Sequence, residues 1–150
     1  MDALVETLRA QHRELEALCK TLTTALHHDD LPPVQRALQA FGASLLTHLA
    51  LEDDSLYPAM LNGVDRRSIR SAAGAAGAVD ARTLRTFTDN MKRVSEALKA
   101  FLAQPVETVP QLHALRKEWP EVQHLLDSRI QSEERVLYPM YEERIGARLK

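Results

Sequence analysis

Residues 45–58 read Leu45-Leu46-Thr47-His48-Leu49-Ala50-Leu51-Glu52-Asp53-Asp54-Ser55-Leu56-Tyr57-Pro58. Through this stretch and upstream of it, apolar residues return every three or four positions, at Val34, Leu38, Phe41, Leu45 and Leu56. That is the period of one face of an α-helix. Two members of the stripe, His48 and Glu52, are polar. Four residues apart, they project from consecutive turns, about 6 Å from each other along the axis. The pattern is used twice. Glu133-Glu134-Arg135-Val136-Leu137-Tyr138-Pro139 echoes Glu52 to Pro58, and extending the register backwards sets Arg129 against His48. The chain therefore reads as two helical hairpins packed with approximate two-fold symmetry.

The same period extends outward. Leu4, Leu8, His12, Leu15, Leu18, Cys19, Leu22 and Leu26 predict a helix over about residues 2–27, followed by a polar loop, His27-His28-Asp29-Asp30. Leu31-Pro32-Pro33 restarts the chain, because proline is tolerated in a first helical turn. This second helix is expected to reach about residue 61, with Pro58 kinking or ending it and Asn62-Gly63 as its stop. The third stripe is Leu84, Phe87, Met91, Val94, Leu98 and Phe101, with Asp80 as N-cap and Pro105 beyond its end. The fourth begins near Pro110 and runs through Leu112, Leu115, Trp119, Val122, Leu126, Arg129, Glu133, Val136, Leu137 and Met140. Pro120 is expected to kink or split it, and Gly146 to stop it. Residues 64–80 are rich in Ala and Gly with little to bury, and a short helix over 66–73 would shorten that link. No strand-like alternation competes. The predicted fold is all-α, an antiparallel up-down four-helix bundle forming a single domain over 1–150.

Composition agrees and narrows the function. At 150 residues, with 45% apolar and 27% charged residues, the chain has the size of one domain. Its apolar runs are too short for a membrane span and no signal-peptide pattern opens it, so the expected location is the cytoplasm. A net charge of −2 offers nothing to nucleic acid. The single cysteine, Cys19, excludes an intramolecular disulfide and a cysteine-based zinc site. There is no Ser/His/Asp or Cys/His nucleophile arrangement and no phosphate-cradling glycine loop. No acid, base and substrate pocket can be assigned, so the chain is not read as an enzyme.

The informative residues are the polar ones that interrupt apolar stripes: His12 on the first helix, His48 and Glu52 on the second, Arg129 and Glu133 on the fourth. Burying a charge costs several kcal/mol unless it is paired or metal-bound. Five such groups on inward faces are therefore expected to share one site. Imidazole with carboxylate on facing helices suits iron, zinc or manganese. Other candidates rank lower. Cys19 is read as buried packing, His124 as surface, and His113 as having no identifiable partner. Tyr57 and Tyr138, beside helix-terminating prolines, are read as packing caps, with the alternative that one of them reaches the core cluster, and Trp119 as a cover over one end of the bundle.

These residues carry a resemblance. Gln11-His12, His48-x-x-x-Glu52 with Leu56-Tyr57-Pro58, and Glu133 with Leu137-Tyr138-Pro139 resemble the hemerythrin-like, HHE cation-binding family over nearly the whole chain. Members of that family hold two non-haem irons between four helices, through five histidines and two bridging carboxylates. The resemblance implies that His12 and His48 are the histidines of one metal and that Glu52 and Glu133 are the bridging carboxylates. The other metal takes two histidines from the third helix and one from the fourth. This third helix has no histidine; Phe87 and Met91 align with the two missing places, and Arg129 stands where the fourth-helix histidine would be.

The resulting expectation is a hemerythrin-like protein with a degenerate centre. It would bind at most one iron or zinc ion through His12, His48, Glu52 and Glu133, and act as a sensor, regulator or metal-binding protein. Arg129, able to donate to two carboxylates at once, would either support the ligands or replace a metal. The alternatives are a metal-free helical interaction module with a protein partner, and a di-iron oxygen-binding or redox protein.

Overall fold

The computed structural model describes residues 3–60 and 75–146, with side chains described for 3–60 and 85–143. The chain forms helices α1 (Ala3–Leu26), α2 (Leu31–Leu51), α3 (Ala75–Leu102), α4 (Val109–Ser132) and α5 (Tyr138–Gly146). A π-helical turn, Glu52–Leu56, follows α2, and another, Glu133–Leu137, joins α4 to α5. No strand occurs among the described residues. Because the second π turn carries α4 straight into α5, the architecture is the expected up-down four-helix bundle. Around it, α1 packs on α2 and α4, α3 packs on α2 and α4, and α2 meets α4 across the middle.

Local chemistry sets most boundaries. Thr108 caps α4 through a reciprocal box: its hydroxyl accepts from the Gln111 backbone N–H, while the Gln111 side chain accepts from the Thr108 N–H. Pro residues occupy the first turns of α2 and α4, where no N–H is needed. Asp80 is not a cap, since α3 already starts at Ala75. The expected stop at Asn62-Gly63 and the short helix over 66–73 fall outside the described residues.

Pro58, Pro120 and Pro139 do not end the helices they sit in, in keeping with the expected reach of the second helix to about residue 61 and of the fourth to Gly146. Pro120 lies within an uninterrupted α4, so it does not split that helix. The helix also continues past Pro58 to residue 60, and past Pro139 to Gly146. In an α-helix, proline clashes with the carbonyl four residues back. Here the preceding turn is widened: Tyr57 donates its backbone N–H to Glu52 O, and Tyr138 to Glu133 O, five residues back instead of four. The wider turn takes the ring without ending the helix.

Two apolar layers result. The larger contains Leu15, Leu22, Phe41, Leu45, Leu98, Phe101, Trp119 and Leu126. Trp119 is an interior member of it, edge-on to Phe41, stacked near Phe101, and donating Nε1–H to Thr23 Oγ1 at 2.8 Å. The smaller contains Val5, Leu8, Leu56, Tyr57, Met91, Leu137 and Tyr138. On three of the helices the switch between layers falls at a polar residue: Leu8–His12–Leu15 on α1, Leu49–Glu52–Leu56 from α2 into its π turn, Ile130–Glu133–Leu137 from α4 into the second π turn.

Candidate metal centre

Between the layers, His12, His48, Glu52, Arg129 and Glu133 are each at most 1% exposed. One ligand atom from each of His12, His48, Glu52 and Glu133 lies within 4.8 Å of the others. The helix register explains the convergence, since each residue takes a core position of its own stripe on three different helices.

The histidine rings are oriented from outside. His12 Nδ1 lies 3.1 Å from a Glu134 carboxylate oxygen, and His48 Nδ1 lies 2.8 Å from Gln11 Oε1. Both partners are acceptors, so each Nδ1 carries a proton, and the Nε2 of a neutral ring then turns a lone pair inward. Burial outweighs the surrounding carboxylates and holds the His12 pKa below its ordinary value, which keeps that ring neutral near pH 7. The two Nε2 atoms face each other at 3.0 Å. Two lone pairs at that distance repel, so the contact needs a cation between them, either a proton or a metal.

The carboxylates are divided between two environments. Their Oε1 atoms belong to Arg129: Nε donates to Glu133 at 2.8 Å and Nη2 to Glu52 at 2.9 Å. Nη1 ties the same guanidinium to α3 through Met91 O at 3.1 Å and Ser95 Oγ at 2.5 Å. Their Oε2 atoms face Tyr138, whose hydroxyl is 2.8 Å from Glu133 and 3.1 Å from Glu52. His48 Nε2 is also 3.2 Å from Glu52 Oε1. Burial opposes charge on Glu52, but the His48 contact and the Arg129 guanidinium outweigh it and hold the carboxyl below its usual range. Glu52 is therefore ionised.

Each residue expected at the site is in this cluster. The packing role expected for the tyrosines is incomplete. Tyr138 is fully buried with its hydroxyl among the ligand atoms, and Tyr57 accepts from Arg129 Nη2 at 3.3 Å. Burial, reinforced by Glu52, pushes both phenol pKa values up, so both are protonated in the cluster as it stands. Ser95 and Glu134 were also not anticipated. The signal for the tyrosines was present: each sits five residues after a cluster glutamate in both copies of the echo. Ser95 gave none, being one small polar residue on a mixed helix.

On the third helix, Met91 is buried in the smaller layer and Phe87 packs against it. Its contribution to the cluster is thus a backbone carbonyl and a hydroxyl for Arg129. His113, read as unpartnered, lies 3.1 Å from Asp29 Oδ1. His124 is exposed and Cys19 is buried, as read from the sequence. Among the described residues no helix is long and apolar enough to cross a membrane.

A protein-family model described as "Hemerythrin HHE cation binding domain" matches residues 3–141. No curated protein and no solved structure matches the chain.

Proposed function

Because the chain belongs to the hemerythrin HHE cation-binding family, we propose that it holds a single iron or zinc ion at His12, His48, Glu52 and Glu133, and serves as a metal or redox sensor instead of an oxygen carrier. The observation that carries this reading is the 3.0 Å approach of two imidazole Nε2 atoms whose protons are committed outward. Two imidazoles and two carboxylates are a donor set suited to iron or zinc. When bound, the ion supplies a Lewis-acidic centre and, for iron, a one-electron couple.

The chain's own residues limit the site to one ion. Arg129 bridges Glu52 Oε1 and Glu133 Oε1, the place where the family resemblance puts the second metal. Its guanidinium is a permanent cation. With neutral histidines the cluster of two glutamates and one arginine sums to −1, and one divalent ion takes it to +1. A second would make it +3 in a site with almost no solvent. Gln11 and Glu134 keep the imidazoles aimed at the ion. The ligands come from α1, from α2 and the π turn after it, and from the π turn that continues α4, so occupancy cross-links three helices. That is a direct route from metal status to the shape or stability of the bundle.

A second reading is favoured by the same Arg129 geometry: a metal-free module in which one protonated histidine brings the cluster to neutrality and protein partners use the helix surfaces. Metal content per chain separates the two. It is to be measured by mass spectrometry on protein purified without chelator from iron- and zinc-supplemented cells. The single-ion reading expects about one equivalent, lost in His48→Ala. No metal would leave the metal-free module. Two irons with a visible charge-transfer band would overturn both.

A further inference from the structure

The four residues above do not complete the inner shell of the cluster. The Tyr138 hydroxyl oxygen lies 3.0 Å from His12 Nε2, 2.8 Å from Glu133 Oε2 and 3.1 Å from Glu52 Oε2. A phenol has one proton. It can satisfy one of these acceptors, and the other two contacts then set lone pair against lone pair. The spacing is that of atoms sharing a cation: ligands about 2.1 Å from one metal, in adjacent octahedral positions, lie about 3.0 Å apart. The His12–His48 contact, at 3.0 Å, has the same spacing. Tyr138 oxygen therefore stands at a corner of the same polyhedron.

The ring is held there firmly. Tyr138 follows directly on the second π turn, and its ring lies 5.4 Å from that of His12, nearly parallel at 19°. The Arg9 guanidinium carbon is 5.9 Å from the ring centroid, a cation placed to favour negative charge on the phenol. Tyr57 differs, since its hydroxyl meets Arg129 Nη2 at 3.3 Å, on the far side of the carboxylates.

We propose that Tyr138 is a fifth ligand, a phenolate that makes the site selective for ferric iron over zinc; this rests on the reading that the four residues above hold a metal. On binding, the Tyr138 oxygen–hydrogen bond is replaced by an oxygen–iron bond and the proton leaves to solvent, with no change of oxidation state. Charge supports the choice. Two glutamates, Arg129 and a divalent ion sum to +1; with a trivalent ion the sum is +2, and the phenolate restores +1. A hard, anionic oxygen is also the ligand a trivalent iron prefers.

The test loads metal-free protein with ferric nitrilotriacetate or with zinc chloride and follows visible absorption, resonance-enhanced tyrosinate vibrations and metal content. With iron(III), the unmodified chain and Tyr57→Phe are expected to show a phenolate-to-iron band, and Tyr138→Phe to lack it. Tyr138→Phe should weaken iron(III) binding by about tenfold or more while leaving zinc binding within a few-fold. If the unmodified chain binds neither metal, the four-residue site itself fails. If it binds iron without the band, or the band survives in Tyr138→Phe, Tyr138 is not a ligand although the site stands. Should Tyr138→Phe not fold by circular dichroism, uniform 3-fluorotyrosine substitution in the unmodified chain must shift the band. A band that does not move overturns the proposal.

Discussion

At the scale of single residues the molecule depends on Arg129. Its guanidinium is buried and donates to two carboxylates, a backbone carbonyl, a serine hydroxyl and a phenol. Removing it would leave Glu52 and Glu133 buried without their bridging cation. Breaking such a buried network by deleting one partner costs about 3–5 kcal/mol. Arg129→Ala is therefore expected to lower the melting temperature of this 150-residue chain by roughly 10 °C or to prevent folding. Arg129→Lys is expected to recover little, because an ammonium has no planar fork to serve both carboxylates. Thermal denaturation followed by circular dichroism decides it, and an unchanged midpoint in Arg129→Ala would sink the account. Arg129 and its four companions were legible in the sequence because a charge on an apolar stripe breaks a pattern. Tyr138 was legible only as a repeated position, five residues after a cluster glutamate in both halves of the echo. A tyrosine continues an apolar stripe, and that spacing alone does not tell whether its hydroxyl points to solvent or into the core.

At the scale of elements, the bundle's helices were readable from period alone, while the fate of the prolines was not. Pro58 and Pro139 carry the same local warning as any helix-ending proline. What changes the outcome is a π turn immediately before each, a backbone choice with no residue signature of its own. The ends set by side chains are easier to test. Thr108→Ala removes one half of the capping box at the start of α4 and is expected to cost about 1 kcal/mol, a midpoint shift of roughly 2–4 °C. The link between α1 and α2 is tied to α4 in another way. Asp29 accepts from Arg116 Nη2 at 2.5 Å and pairs with His113, and Arg116 Nε donates to Leu26 O. The Arg116 hydrogen bond, then that of His113, holds the Asp29 carboxyl below its ordinary value of 3.8. A carboxyl whose pKa is lower in the folded state adds stability above its unfolded value, and loses it as pH falls through the folded one. Asp29→Asn should thus be slightly less stable than the parent at pH 7, the small effect expected of an exposed pair. The gap should close in acid below pH 3.8. Melting curves at both pH values test this, and a gap of equal size in acid would show that charge is not its source.

At the scale of the whole molecule, the polar cluster joins two apolar layers, so metal occupancy and global stability should move together. Cys19 offers a probe of that coupling. It lies on α1, seven residues after His12, in the larger layer at 4% exposure. Burial, aided by Asp127 and Glu16, pushes its thiol pKa up to about 12. At pH 8 only about one thiol in ten thousand would be ionised, against a sizeable fraction of a free cysteine. In the native protein Cys19 should therefore resist a disulfide reagent such as Ellman's, reacting only through the small fraction of molecules in which α1 has left the bundle, and it should react at once in denaturant. Opening α1 also removes His12 from the cluster proposed to hold the ion. An ion bound only by the folded state adds about 2.7 kcal/mol when free metal is 100 times its dissociation constant. Labelling should then slow by about a hundredfold, provided opening and closing are fast relative to the chemistry. Equal labelling rates in native and denatured protein would place Cys19 outside the core. A chain that binds its ion stoichiometrically, yet labels no more slowly, would show that α1 opens around Cys19 without releasing His12. The cluster would then hold the smaller layer alone, and metal status would be felt at one end of the bundle.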